Sequence, residues 1–108
     1  CSSADRCKVL MNLSAIGAAE TLFDALITGT DIRNPKPDPE IYRTGAASLG
    51  LSPAECIVVE DAPSGITAAH AAGIETIALA TSFPADYLRA QSAPEYLLPD
   101  LRSILTIL

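Results

Sequence analysis

The sequence predicts an α/β domain, a parallel sheet with helices packed against it. Two observations carry that expectation. Short apolar runs alternate along the chain with segments of helical period, and strands that alternate with helices build parallel sheets through right-handed crossovers. In addition, Val58-Val59 runs straight into Glu60-Asp61, and Ala62-Pro63-Ser64-Gly65-Ile66 then turns into a helix of small residues. Open α/β sheets hold their ligands beyond the carboxyl ends of the strands, and there the two adjacent acids stand.

Taken in order, residues 4–16 form a first helix, with Val9, Leu10, Leu13 and Ile16 on one face and Gly17 as its stop. Ser3 is its expected N-cap. Residues 23–28 read as a short apolar strand ended by Gly29. Asp38 caps a second helix, Pro39 takes its first position and Gly50 ends it. Cys56 to Glu60 is the next strand, and its unbroken apolar run predicts burial on both faces. The helix at 64–72 is almost all Ala, closed by Gly73, so it can lie close to a sheet. Thr76 to Ala80 is a strand, Pro84 opens a short helix, Tyr96 to Leu98 is an edge strand, and Asp100 caps a last helix.

Composition bounds the function. At 108 residues there is room for at most one domain, residues 1–108, and its core must come from Ala, Leu, Ile and Val because only five residues are Phe or Tyr. Seven basic residues against thirteen acidic ones leave a net charge of −6 and no basic stripe, which argues against nucleic acid and anionic membranes as partners. No apolar run approaches the ~18 residues of a membrane span, and no signal-peptide pattern opens the chain. Cys1, Cys7 and Cys56 lack the spacing of metal ligands or redox pairs, so a reducing, cytoplasmic location is expected. The chain starts at Cys1, within what reads as a strand end, as a piece of a longer protein would.

Three places carry chemistry. Glu60 and Asp61 offer hard oxygen donors suited to Mg²⁺, although acids at a strand end also serve simply as solvated turn residues. Neighbours in an ideal strand point to opposite faces, so both can face one ion only if the chain turns there, as Pro63 and Gly65 favour. Lys36 stands in Asn34-Pro35-Lys36-Pro37-Asp38-Pro39, where three prolines stiffen the backbone around it. A lysine so held is either an ordinary surface residue or a point charge for phosphate. Ser2 and Ser3 bring hydroxyls to a helix start, where caps and anion sites coincide. His70 reads as a solvent-facing helix residue without a catalytic part.

Together, Lys36-Pro37-x-Pro39-Glu40-x-Tyr42, Val-Val-Glu60-Asp61-Ala-Pro-Ser-Gly65-Ile66 and Ala-Ala-x-Ala-Ala-Gly73-Ile74 resemble the haloacid dehalogenase (HAD) superfamily. Within it they look like the sugar and polyol phosphate phosphatases of the phosphoglucomutase type. The resemblance implies a Rossmann-like, HAD-type core and covers essentially the whole chain. Cys1 to Arg6 is similar to the second motif, which makes Ser2 a phosphate-binding hydroxyl, with Ser3 beside it. Lys36 matches the third motif, a catalytic lysine that grips phosphate and the nucleophile, and Glu60 and Asp61 match the fourth, which holds Mg²⁺. The implied partner is a small phosphorylated metabolite.

The first motif, an Asp-x-Asp-Gly-Thr-like segment carrying nucleophile and general acid, is absent, since Asp31, Asp38 and Asp61 lie in other contexts. The strand bearing it normally sits between the strand ending at Ser2 and the Val58 strand, and a cap follows it. The resemblance therefore implies an incomplete core, the second to fourth motifs without the N-terminal half of the domain. Such a chain is expected to be catalytically silent and, with a gap in its sheet, prone to instability or association. A β-phosphoglucomutase-like enzyme and a non-catalytic binding module are the alternatives. A two-component receiver fits worse, because its acid pair precedes its lysine.

Overall fold

A computed structural model describes residues 1–107. Its sheet has three parallel strands in the order β1 (Ile57–Glu60), β2 (Glu75–Leu79), β3 (Tyr96–Leu98). Register pairs Glu60 with Ala78 and Ile77 with Tyr96. The α/β architecture expected from the alternation of elements is the one observed. Among the described residues no helix is long and apolar enough to cross a membrane.

Among the described residues four α-helices accompany the sheet: α1 (Arg6–Ala15), α2 (Glu40–Ser48), α3 (Pro63–Ala71) and α4 (Ala85–Ser92). The three glycines expected to close helices, Gly17, Gly50 and Gly73, all have positive φ. Helix α1 starts later than the sequence predicts, and its N-cap is Asp5, whose carboxylate accepts from the Lys8 N–H at 2.9 Å, not Ser3. Residues 2–4 are drawn off into backbone bonds, Ser2 N–H to the Ile27 carbonyl and Gly29 N–H to the Ala4 carbonyl, so the helix cannot begin there. On α1 only Val9 is buried, and Ile16 lies 77% exposed. At α2 the boundary shifts by one residue, and Asp38 still satisfies a free amide of the first turn, that of Glu40, at 2.9 Å.

The expected strand at 23–28 does not join the sheet. Its single backbone bond to residues 2–4, from the Ser2 N–H to the Ile27 carbonyl, does not amount to a ladder. The last expected helix is a 3₁₀ run, Leu101–Thr106, capped by Asp100 as foreseen.

Both core clusters lie on the helix-covered face of the sheet, and on the opposite face β2 is buried as well, at Ile77 and Leu79. Val58 packs with Ile41 and Tyr42 of α2 and with Ala68 and Ala69 of α3, while Ala78 packs with Ile66 and Leu88. The alanine-rich α3 does approach the sheet closely, with Ala68 and Ala69 fully buried. His70 is not simply solvent-facing: with Thr76 it meets the Glu95 carboxylate, which accepts from the Thr76 amide at 2.7 Å and hydroxyl at 2.8 Å and lies 3.1 Å from the imidazole Nε2. This cluster ties α3 and β2 to the segment leading into β3 at the end of the sheet away from Glu60.

Burial of β1 on both faces is not observed. Ile57 and Val59 are 50% and 42% exposed, because no element among the described residues covers that face. Their strand is also a sheet edge, with a free backbone row beside exposed apolar side chains, which invites edge-to-edge pairing. Placing a charge there, Val59→Lys, is expected to suppress self-association seen by sedimentation velocity while changing monomer stability by no more than ~0.5 kcal/mol. An unchanged distribution of oligomers would show that the edge is not their contact.

Candidate functional site

Glu60 ends β1, and the chain bends at Asp61 before Pro63 opens α3 at its first position. That bend resolves the alternation problem: both carboxylates line one open cleft of about 660 Å³. Ser2, Ser3 and Lys36 line the same cleft, so every candidate named from the sequence is brought to one place. Thr81, just past the carboxyl end of β2, lines it as well.

Glu60 is the centre of the cluster. Its Oε2 accepts from Lys36 Nζ at 2.8 Å and from the Tyr42 hydroxyl at 2.7 Å, and its Oε1 accepts from the Asp61 N–H at 3.0 Å. Lys36 and Glu60 side chains are only 13% and 12% exposed. Burial would raise the Glu60 pKa, but the hydrogen bonds from Lys36 and Tyr42 outweigh it and bring the group down to about 2. Tyr42 is pushed the other way, by burial first and by its hydrogen bond to Glu60 second, so its hydroxyl remains a donor. Lys36 Nζ also lies 4.9 Å from the centre of the Tyr42 ring, within range of a cation–π contact.

Asp61 is held from the other side, its Oδ2 accepting from the Ser82 hydroxyl at 2.6 Å. The sequence pattern by itself assigns no functional part to Tyr42 or Ser82. Tyr42 carries a signal all the same, as the sole aromatic on the buried face of α2, six residues after Lys36. Ser82 has a weaker one, a hydroxyl shortly past the end of the strand paired with β1.

The space for Glu60 comes from Gly65. A methyl group built on Gly65 would overlap the Glu60 carboxylate, so the first turn of α3 can press onto the acid only without a side chain there. Asp31 is accounted for structurally, accepting from the amide and hydroxyl of Thr28 at 2.8 and 2.9 Å. Among the described residues no group of three or more His, Cys, Asp or Glu comes together, so the cleft offers a cation two carboxylates, Glu60 and Asp61, at most. An ion such as Mg²⁺ that takes one or two carboxylates would need its other ligands from water or a bound group.

A cleft at the strand ends of a parallel sheet, with a lysine, two acids and hydroxyls, is the kind of site at which α/β proteins handle phosphate. The family comparison makes this specific. The model of the haloacid dehalogenase-like hydrolases matches residues 1–79, and the chain belongs to that family. It is 42% identical over 92 residues to validoxylamine A 7'-phosphate phosphatase of Streptomyces hygroscopicus subsp. limoneus, covering 85% of this chain and 41% of that protein. It is 40% identical over 103 residues to the chloroplastic protein SUPPRESSOR OF QUENCHING 1 of Arabidopsis thaliana, covering 95% of this chain and 10% of that protein. Among solved structures, a conserved haloacid dehalogenase-like protein of Agrobacterium tumefaciens superposes with a TM-score of 0.85 at 30% identity, over 99% of this chain and 51% of that one. The chain thus spans about half or less of the length of these relatives.

Two outcomes test the site's physics. Gly65→Ala is expected to expel Glu60 from its seat, breaking the contacts to Lys36 and Tyr42 at a cost of about 3 kcal/mol, the scale of a broken buried ion pair. Urea unfolding within ~0.5 kcal/mol of the parent would refute the crowding argument. The second concerns acid. Glu60 and Glu95 both fall from 4.5 to about 2 on folding, Glu95 against its own desolvation through the Thr76 bonds. A depressed carboxylate stabilises the fold above its unfolded pKa and loses that contribution as pH falls through the folded value. The urea midpoint should therefore drop between pH 4.5 and about 2, less steeply in Glu60→Gln and in Glu95→Gln. Identical slopes in all three proteins would contradict the assignment.

Proposed function

We propose that residues 1–108 supply the phosphate- and metal-binding part of a Mg²⁺-dependent hydrolase acting on a small phosphomonoester, a sugar or polyol phosphate. The observation that carries the reading is the convergence of Ser2, Ser3, Lys36, Glu60 and Asp61 on one cleft. Phosphoryl transfer asks a protein mainly for positioning and charge neutralisation. Lys36 sets a positive charge toward a phosphoryl oxygen, and the Ser2 hydroxyl, with Ser3 beside it, donates to another. Glu60 and Asp61 would hold Mg²⁺, which when bound neutralises charge developing on the phosphoryl oxygens.

On this reading the nucleophilic Asp, which forms an aspartyl-phosphate later hydrolysed by water, and the acid that protonates the leaving group come from a segment outside residues 1–108. The matched relative whose name makes it a 7'-phosphate phosphatase supports the phosphomonoester class. Hydrolysis is favoured over a mutase. A mutase must grip a second phosphate near the serines, yet Asp5 there is an acid capping α1, and Arg6 is paired with Glu20. The small share of the Arabidopsis protein that the chain matches also favours a second arrangement, a module carried within a larger polypeptide.

The test combines two measurements. The 108-residue chain should bind inorganic phosphate in the presence of Mg²⁺, seen by ³¹P NMR, with affinity lowered at least about tenfold in Lys36→Ala, the loss of one charge-assisted bond. It should turn over no sugar or polyol phosphate by itself. Phosphate affinity indifferent to Lys36 would remove the site from consideration, and turnover by the chain would show that its nucleophile lies within these residues.

A further inference from the structure

We infer that Tyr42 is a positioning residue of this cleft, one whose hydroxyl aims the acid and whose ring aims the lysine. The inference rests on the reading of the cleft as a phosphate and metal site. Its basis is that one side chain touches both charged partners through different parts of itself. The hydroxyl donates to Glu60 Oε2 at 2.7 Å, and the ring lies 4.9 Å from Lys36 Nζ.

The geometry of the acid shows why this matters. Lys36 and Tyr42 both donate to Oε2, while Oε1 holds the Asp61 amide. A carboxylate bonded only by a flexible lysine can rotate and exchange its oxygens. With a hydroxyl from a rigid helix on the same oxygen, Oε2 is fixed toward α2, and Oε1 is kept on the Asp61 side. Tyr42 can act as that fixed point because it is 6% exposed and shares the buried face of α2 with Ile41, Gly45 and Ala46. Hydrogen-bond partners that orient metal-binding carboxylates typically matter by about 10–100-fold in metal affinity.

The ring has a separate task. A lysine ammonium has three donors on a flexible stem and no orientation of its own. Resting against the ring face, it stays near the cleft even when phosphate draws it from Glu60. The two parts of Tyr42 therefore predict two separable losses, which a purely structural tyrosine would not show.

The test is Tyr42→Phe and Tyr42→Leu in the 108-residue chain, with Mn²⁺ followed by EPR and inorganic phosphate by ³¹P NMR, and folding checked by circular dichroism. Tyr42→Phe should keep the fold and its phosphate affinity within about twofold while losing about 10–100-fold in Mn²⁺ affinity. Tyr42→Leu should lose both. A folded Tyr42→Phe that binds Mn²⁺ like the parent overturns the inference, as does a Phe variant that matches Leu in both ligands. A parent chain that binds neither Mn²⁺ nor phosphate would instead overturn the reading of the cleft itself, and the role of Tyr42 with it.

Discussion

The Glu60 carboxylate is the interaction on which the rest of this structure converges. It collects a charged donor, a hydroxyl and a backbone amide, from Lys36, Tyr42 and Asp61. A carboxylate this enclosed is tolerable only when paired and hydrogen-bonded on both oxygens. Each surrounding element meets one of those needs. The proline-rich loop delivers Lys36, the buried face of α2 delivers Tyr42, β1 places the acid at the sheet's carboxyl end, and Gly65 leaves the room.

The same arrangement divides the labour between the two acids. Glu60 is bonded by three donors, whereas Asp61 has one oxygen on Ser82. That division follows from where the chain bends. Glu60 is the last residue of a strand covered by α2 and α3, whereas Asp61 is already in the turn.

The exposed side of β1 shows the limit of what these residues bury by themselves. Val58 and Ala78 are packed under helices, while Ile57 and Val59 stand open across the cleft from residues 1–4. An apolar strand with one bare face and one free edge fits a core whose remaining part is supplied from elsewhere, in keeping with matched relatives about twice as long or longer.

Much was legible in the sequence because it is local. Alternating apolar runs, helix-closing glycines and the cap at Asp100 are short-range physics, and they determined the α/β class and most element positions. The residue pattern likewise singled out Lys36, Glu60 and Asp61. What it could not contain was competition between distant segments. Ser3 lost the cap of α1 to Asp5 because Ile27 and Gly29 claim the backbone of residues 2–4, and residues 23–28 formed no ladder strand. Tyr42 and Ser82 reached the cleft's two acids through contacts 18 and 21 residues away in the chain. Local propensity determined where helices and strands form; only tertiary packing decided which hydroxyl meets which carboxylate, because that is set by how elements far apart in sequence are stacked.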